Sequence, residues 1–188
     1  MTVAPAPEEA LVRRVLAGDR AAFETLVSRY HRIVFAIAFR MTGNRAEAED
    51  VSQEVFLRLY RGLRQFDPSL PFAPWVRRIA GNAALNHLRR RSLERRHAAP
   101  ESDQGEMPDL PDAAADPEER AARAEEAGRL ERALAILPEN QRLAVTLKYV
   151  EGLTAEEIAD AMGAPRNTVK TWLLRARERL REELKNEL

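Results

Sequence analysis

The stretch that decides the fold is LTAEEIADAMGAPRNTVKTWLLRAR, residues 153–177. Thr154 and Glu157 have the spacing of a capping box, which predicts that a helix begins here. Gly163 follows an apolar helical repeat and predicts a turn, and Pro165 suits the first turn of a second helix. A short helix, a glycine turn and a second helix rich in Arg and Lys predict a helix-turn-helix.

The predicted second helix of this motif carries polar and basic side chains away from its apolar stripe. In a helix-turn-helix the second helix enters the major groove, where its residues contact bases and phosphates. We expect Lys170, Thr171 and Arg175 to lie near bases and phosphates, and Arg166, Thr168 and Arg177 to contact mainly the DNA backbone. A solvated basic face on a helical hairpin would show the same charges, but the agreement of cap, turn and charge favours DNA binding.

Upstream of this motif, prolines separate long segments with helical periodicity, and no run of alternating apolar residues predicts a strand. Asp19 predicts the N-cap of a long helix, while Gly43 and Asn44 predict the end of that helix and the start of the next. A further helix is predicted from about 72 to 91, after a proline-rich loop, and a short one near 8–17. The chain is therefore predicted to be all-α.

The charges are distributed unevenly along the chain. Its 188 residues contain 30 Lys and Arg against 30 Asp and Glu, so the formal net charge is zero. Residues 68–93 contain five arginines and no acid, residues 99–127 contain ten acids and two arginines, and residues 162–181 contain six bases and one acid. The zero average therefore hides two cationic surfaces joined by an acidic segment.

This pattern predicts two small helical domains, at residues 1–91 and 117–188. Residues 92–116 are polar, acidic and interrupted by proline, which predicts a flexible linker. The linker's acids would keep a simple spacer extended. Alternatively, they would mimic RNA, or they would screen the basic domains from DNA, and the sequence leaves these interpretations open.

The basic segment of the first domain combines an aromatic residue, amides and arginines on a predicted helix. Aromatic rings stack on unpaired bases, amides contact exposed base edges and arginines bind the backbone, so the segment is a candidate surface for single-stranded DNA. Its candidate residues are Trp75, Arg77, Arg78, Asn82, Asn86, Arg89 and Arg90. On chemistry alone the signal is weak, because such a Trp is often a core anchor and such arginines are often only solvated.

Several other classes of protein are disfavoured. The chain has no cysteine, its three histidines are scattered, and it has no glycine-rich phosphate loop or nucleophile elbow. We therefore expect no enzyme activity, no metal site and no cofactor. The N-terminus has no apolar signal core and no apolar run is long enough for a membrane span, which predicts a soluble cytoplasmic protein without membrane insertion.

Two stretches resemble a known family. Residues 46–90, AEAEDVSQEVFLRLYRGLRQFDPSLPFAPWVRRIAGNAALNHLRR, resemble region 2 of the extracytoplasmic-function (ECF) sigma factors, a subfamily of the sigma-70 family of bacterial RNA polymerase sigma factors. Residues 137–180, LPENQRLAVTLKYVEGLTAEEIADAMGAPRNTVKTWLLRARERL, resemble their region 4. The order and spacing of the two motifs also match this family.

The resemblance implies partners for these surfaces. Asp50, Gln53 and Glu54 would dock on the β′ clamp helices of core RNA polymerase. Residues 67–91 would capture an extruded base of the promoter −10 element and help to melt the duplex. Region 4 would read the −35 element and contact the β flap, and an anti-sigma factor is an expected further partner. Asn167 departs from the glycine that is frequent there in the family, so the base preference stays open.

Two alternatives fit parts of the sequence. A one-component transcriptional regulator would use the helix-turn-helix alone, with the N-terminal half as a ligand sensor. A sigma-like interaction protein would titrate an anti-sigma factor and would need no DNA-contacting residues. Arg77, Arg78, Lys170 and Arg175 argue against the second alternative.

Overall fold

The computed structural model describes residues 7–95 and 128–186, and every regular element in these two ranges is helical. This confirms the predicted all-α fold. Residues 96–116 of the predicted linker and the helix start predicted at Pro117 lie outside the described residues. The domain boundaries accordingly stay a prediction.

Within residues 7–95, the N-terminal unit contains four α-helices. These are α1 (Glu8–Leu16), α2 (Arg20–Thr42), α3 (Arg45–Gly62) and α4 (Phe72–Arg95), with a 3-10 turn (Leu63–Gln65) after α3. Because α4 ends at Arg95, the first four residues of the segment predicted as a flexible linker are helical.

Local capping explains where α2 and α3 begin. The Asp19 carboxylate accepts a hydrogen bond from the Ala22 amide at 3.1 Å, and the Asn44 side chain accepts one from the Glu47 amide at 3.0 Å. Each bond satisfies an amide that has no partner inside its helix. Between them, Gly43 adopts a left-handed conformation, with φ of 67°, which ends α2. The predicted N-caps and C-cap are confirmed.

The core of this unit lies along α2. Its apolar stripe is predicted at three- and four-residue spacing, and most of its members are buried against α1, α3 and α4: Leu26, Tyr30, Val34, Ile37, Ala38 and Met41. Phe23 packs at the edge of the same cluster. Removal of these side chains from water is the main force that holds the four helices together.

The C-terminal unit carries the predicted helix-turn-helix. It contains α5 (helical over 128–135), α6 (Glu139–Val145), α7 (Ala155–Met162) and α8 (Arg166–Asn186). After α6 the chain widens into a π-helical turn, Thr146–Val150, where the sequence predicts a continuous helix.

The two units pack directly on each other. The N-terminal half of α4 lies against α7 and α6, and buried residues of both units form one apolar cluster. Gly81 lies at a close contact between α4 and α6, because a Cβ atom there would lie only 3.2 Å from Leu143 Cδ1. Because Gly81 has no side chain, α4 and α6 can approach each other at this point.

Candidate nucleic-acid interface

The helix-turn-helix has the geometry that its sequence predicts. Thr154 Oγ1 accepts from the Glu157 amide at 3.2 Å, and the Glu157 carboxylate accepts from the Thr154 amide at 2.8 Å. These two bonds complete a capping box, and the hydrogen bonds that the Thr154 amide and hydroxyl donate to the Glu157 carboxylate lower the pKa of that carboxyl. Gly163, with φ of 60°, makes the turn into α8.

Apolar contacts fix the rotation of α8 about its axis. Val169 and Ala176 are fully buried, while Trp172, Leu173 and Leu180 are partly buried beside them. Ile158 supplies the buried side of α7. The residues between these apolar positions must consequently point away from the core.

Most of the predicted DNA-binding side chains of α8 are exposed. Those at Arg166, Lys170, Thr171, Arg175 and Arg177 are exposed, and that of Thr168 is half-buried. Arg166 forms an ion pair with Glu156 at 2.6 Å, and the Thr171 hydroxyl donates to the Asn167 carbonyl at 2.9 Å. A cationic, solvent-facing helix with a fixed rotation can enter a major groove.

A second polar stripe runs along α4. Arg78, Asn82, Asn86 and Arg89 recur at helical spacing, so they lie on one side of the helix. Arg78, Asn86 and Arg89 are exposed, as is Arg90 beside them. The exposed part of the stripe can contact a nucleic-acid strand through amides and guanidinium groups.

Two residues of α4 that are predicted to bind DNA instead contact the C-terminal unit. Arg77 Nε lies 2.9 Å from Glu151 Oε2, and only 19% of the Arg77 side chain and 7% of the Glu151 side chain are exposed. Asn82 Nδ2 donates to the Ala161 carbonyl at 3.2 Å. Asn82 therefore lies on the same side of α4 as the exposed residues but already has a partner in the C-terminal unit, and Arg77 is paired and mostly buried.

Trp75 belongs to an aromatic cluster. Its ring stacks on Phe66 at a centroid distance of 4.7 Å and lies 5.4 Å from Phe72, which in turn contacts Tyr30. A Cβ atom at Gly62 would lie 3.2 Å from the same indole. Trp75 thus anchors the loop before α4, and its ring is only partly accessible.

The predicted polymerase-binding residues follow one side of α3. Asp50 and Gln53 are exposed, while Glu54 is half-buried between two arginines. Glu54 accepts from Arg58 on its own helix at 2.5 Å and from Arg90 on α4 at 3.2 Å. We call Asp50, Gln53 and Glu54 the acidic-amide ridge.

A polar cluster clamps α4 against α3 next to this ridge. Arg91 Nη1 lies 2.7 Å and 2.8 Å from the two oxygens of the Glu47 carboxylate, which also lies 3.0 Å from His87 Nε2. Hydrogen bonds between charged groups are shorter and stronger than those between neutral groups. The cluster therefore positions Arg89 and Arg90 relative to the ridge.

Sequence reasoning missed two residues that join the units, Glu151 and Arg142. The Arg142 guanidinium donates to the Met41 carbonyl of α2 at 2.7 Å and to the Ala135 carbonyl at 2.8 Å. Both residues act across long sequence separations, and neither belongs to a motif that would reveal the contact. No local signal could have identified them.

Comparison with known proteins matches parts of both units to one family. The family model for Sigma-70 region 2 matches residues 26–94, and the model for Sigma-70, region 4 matches residues 127–180. The ECF RNA polymerase sigma factor SigW of Bacillus subtilis is 31% identical over 178 residues, which cover 93% of this chain and 95% of that protein. The chain belongs to the ECF sigma factors.

Other relatives of this ECF sigma factor support the same family assignment. The RNA polymerase sigma-H factor of Pseudomonas aeruginosa is 36% identical over 94% of this chain and 93% of its own length. The ECF RNA polymerase sigma-E factor of Escherichia coli is 36% identical over 91% of each chain. The family membership confirms the resemblance of residues 46–90 to region 2 and of residues 137–180 to region 4.

Solved structures support the fold of the ECF sigma factor. CnrH, solved in complex with the cytosolic domain of CnrY, aligns with a TM-score of 0.67 at 24% identity and covers 96% of this chain and 99% of that chain. RpoE of Bartonella quintana, solved with the anti-sigma factor NepR, aligns with a TM-score of 0.68 at 21% identity. The alignment covers 87% of this chain and 96% of that chain.

Within residues 7–95 and 128–186, no helix is long and apolar enough to cross a membrane.

Proposed function

We propose that this ECF sigma factor binds core RNA polymerase and directs promoter-specific initiation of transcription. In this proposal region 2, residues 1–91, melts and reads the −10 element, residues 92–116 form the linker, and region 4, residues 117–188, reads the −35 element. The observation that carries the proposal is the presence of two cationic helical faces, on α4 and α8, beside the acidic-amide ridge on α3.

Region 4 supplies duplex recognition. Lys170, Thr171 and Arg175 project from the exposed side of α8, whose rotation is fixed by buried Val169 and Ala176. Side chains in such positions contact base edges in the major groove, and flanking Arg166, Thr168 and Arg177 bind phosphates. Phosphate contacts set the register of the helix, and base contacts supply the preference for one sequence.

Region 2 supplies binding to the melted strand. Arg78, Asn86, Arg89 and Arg90 form an exposed cationic and amide surface, and Trp75 braces the loop at its start. Extruding a base costs a few kcal/mol of stacking and pairing. Contacts made only with unpaired bases offset that cost and therefore favour the open duplex, so no hydrolysis by this chain is needed.

The ridge on α3 supplies the polymerase contact. Asp50 and Gln53 are exposed and Glu54 is oriented by Arg58 and Arg90, so the ridge offers carboxylates and an amide to a cationic partner. We infer that it docks on the β′ clamp helices, with region 4 on the β flap. The catalytic chemistry is then that of the polymerase, and the site of action is the cytoplasm.

We also propose an anti-sigma factor as a regulatory partner. The two similar structures described above contain CnrH bound to CnrY and RpoE bound to NepR, and their helical fold is shared by this chain. A partner of this kind would cover the ridge or the DNA-binding faces and so prevent association with polymerase.

Transcription of total genomic DNA by purified core RNA polymerase tests the proposal. With the wild-type chain added, sequencing of the RNA 5′ ends should reveal one shared upstream motif with −35 and −10 parts. The double variant Lys170→Ala/Arg175→Ala should lose this set of transcripts, whereas Arg20→Ala, an exposed cation on α2, should retain it. The absence of a shared motif with the wild-type chain would contradict the proposal.

A further inference from the structure

Two arginines lie at the end of α3, directly before the loop at residues 67–71 that takes the extruded base in the proposed function. Arg61 is in the last turn of α3, and Arg64 is in the 3-10 turn that follows. Both side chains are exposed, and residues three positions apart lie on the same side of such a helical segment. We propose that Arg61 and Arg64 form a phosphate clip, which binds the backbone of the single strand beside the captured base.

The charge of α3 changes sign along the helix. Residues 45–54 contain four acids and one arginine, whereas residues 55–66 contain three arginines and no acid. The acidic half carries the ridge that is proposed to bind polymerase, and the basic half leads into the loop. Cations at the C-terminus of a helix also interact favourably with the helix dipole. That stabilisation does not depend on DNA, so an experiment that varies the DNA separates it from phosphate binding.

The two arginines are available to a ligand. Within residues 7–95 and 128–186, neither Arg61 nor Arg64 forms an ion pair. Arg58, one turn earlier on α3, is instead paired with Glu54. The planar guanidinium group matches the geometry of a phosphate and binds it through several N–H donors. The clip can therefore bind a strand without first breaking an ion pair within the described part of the chain.

Contacts with Trp75 fix the backbone that carries the clip. A Cβ atom at Gly62 would lie 3.2 Å from this indole, and Phe66 stacks on the same ring at a centroid distance of 4.7 Å. The segment that contains Arg64 is thus held against the start of α4. Arg64 comes three residues before Asp67, so their Cα atoms are no more than about 11 Å apart. The clip therefore lies next to the strand that the loop would hold.

The loop beside the clip is ordered by its own hydrogen bonds. The Asp67 carboxylate accepts from the Ser69 amide at 2.9 Å, and the Leu70 amide donates to the Asp67 carbonyl at 3.0 Å. A loop that is already ordered loses less conformational entropy when it binds a strand. Because the loop and the clip are both held in place, the clip should contact particular phosphates and not the strand in general.

Neutral phosphates test the clip one position at a time. The assay measures binding of fork-junction DNA to core polymerase that carries the full chain, on a promoter recovered by the transcription test above. One methylphosphonate, which lacks the phosphate charge, is placed at each position of the single-stranded −10 segment in turn. With the wild-type chain, methylphosphonate at a contacted position should weaken binding several-fold. In Arg61→Ala/Arg64→Ala the same methylphosphonate should have no further effect, because the phosphate has already lost its partner.

A matched control removes a cation elsewhere. Arg32 is exposed on α2 and lies outside the clip. In Arg32→Ala each methylphosphonate should weaken binding by the same factor as in the wild type, since independent effects add. Arg61→Lys/Arg64→Lys keeps both charges and should retain the position-specific loss. A change in the stability of α3 weakens the binding of every DNA alike, so it cannot remove the response to one phosphate.

The salt dependence gives a second measurement. Each phosphate contact with a single strand contributes about 0.7 to the slope of log affinity against log salt. The Arg61→Ala/Arg64→Ala variant should therefore lower this slope by about 0.7 for each arginine that contacts a phosphate, and Arg32→Ala should leave it unchanged.

Two results would overturn the clip. One is an equal response of the wild type and of Arg61→Ala/Arg64→Ala to methylphosphonate at every position. The other is a loss of affinity for core polymerase in the absence of DNA, because the arginines would then serve association with polymerase.

The clip rests on the proposed DNA role of region 2, and the two can fail separately. If the wild-type chain directs promoter-specific transcription but no phosphate depends on Arg61 or Arg64, the clip is wrong and the proposed function stands. If the wild-type chain gives no promoter-specific transcript, the proposed function is wrong and the clip falls with it.

Discussion

Arg90 Nη2 lies 3.2 Å from Glu54 Oε2, so an ion pair joins the proposed DNA-binding face of α4 to the acidic-amide ridge of α3. The Arg90 side chain is 60% exposed and that of Glu54 is 31% exposed. Exposed pairs of this kind contribute little to stability, about 0 to 1 kcal/mol. The pair can therefore be broken when polymerase binds Glu54 or when DNA binds Arg90, and it couples the two proposed surfaces.

The ridge should be required for polymerase binding and nearly dispensable for folding. We expect Glu54→Gln to weaken binding to core polymerase several-fold, because it removes a charge from the docking surface. The free energy of unfolding should change by less than about 1 kcal/mol, since the pairs it breaks are partly exposed. Fluorescence anisotropy with labelled chain and core enzyme measures the affinity.

The matched control for Glu54→Gln is Glu49→Gln. Glu49 lies on the same helix and pairs with Arg45 at 3.0 Å, but it lies outside the ridge. Equal loss of polymerase affinity in both variants would show that this affinity depends only on the total charge of α3 and not on the ridge.

Region 4 should bind duplex DNA through a countable number of phosphate contacts. Arg166 and Arg177 are exposed on α8 and are the proposed phosphate contacts, and each phosphate contact releases condensed counterions. Arg177→Ala should therefore reduce the slope of log affinity against log salt by about 0.9. Mobility-shift titrations of the promoter duplex at several salt concentrations provide the slope, and an unchanged slope would contradict a phosphate contact at Arg177.

The N-cap of α3 should support the ridge. The Asn44 side chain accepts from the Glu47 amide, and loss of such a cap costs about 1 kcal/mol. We expect Asn44→Ala to lower the free energy of unfolding in urea by about this amount, whereas Asn44→Ser should preserve most of it because serine is also a good N-cap. Equal losses in the two variants would mean that the cap hydrogen bond is not the stabilising contact.

The N-cap of α2 should make the free energy of unfolding depend on pH in the acidic range. The hydrogen bond from Arg14, followed by that from the Ala22 amide, lowers the pKa of the Asp19 carboxyl below its ordinary 3.8. The unfolded chain then binds a proton at a higher pH than the folded chain does. The contribution of Asp19 is fully present above its unfolded pKa and is lost as the pH falls through the lower folded value.

Asp19→Asn tests this linkage, because asparagine keeps a capping oxygen but does not titrate. The decline in unfolding free energy below pH 4 should be shallower in the variant than in the wild type. Urea titrations across this pH range provide the comparison. Identical slopes would show that the Asp19 charge makes no acid-dependent contribution to stability.

The helix boundaries were predictable because their signals are local. Asp19, Asn44, Thr154 and Gly163 act on residues within a few positions, and each capping or turn signal has the predicted geometry. The solvent-facing side of α8 was predictable for the same reason, since helical periodicity fixes which residues share a face.

The accessibility of α4 was not predictable in this way. Arg77 meets an acid 74 positions later and Asn82 meets a carbonyl 79 positions later. The π turn that precedes Glu151 has no distinctive residue pattern, and the sequence predicts a regular helix there. Packing between two units decides these contacts, so helix propensity and periodicity contain no information about them.

Promoter opening tests the central claim most directly. Permanganate reactivity of unpaired thymines in the −10 element should be measured on a duplex promoter with core polymerase and this chain. We expect reactive thymines with the wild-type chain and their loss in Arg78→Ala/Arg89→Ala, while the Asp50→Ala/Gln53→Ala variant should fail earlier, at association with polymerase. A wild-type chain that associates with core polymerase and the promoter but leaves every thymine unreactive would contradict the account.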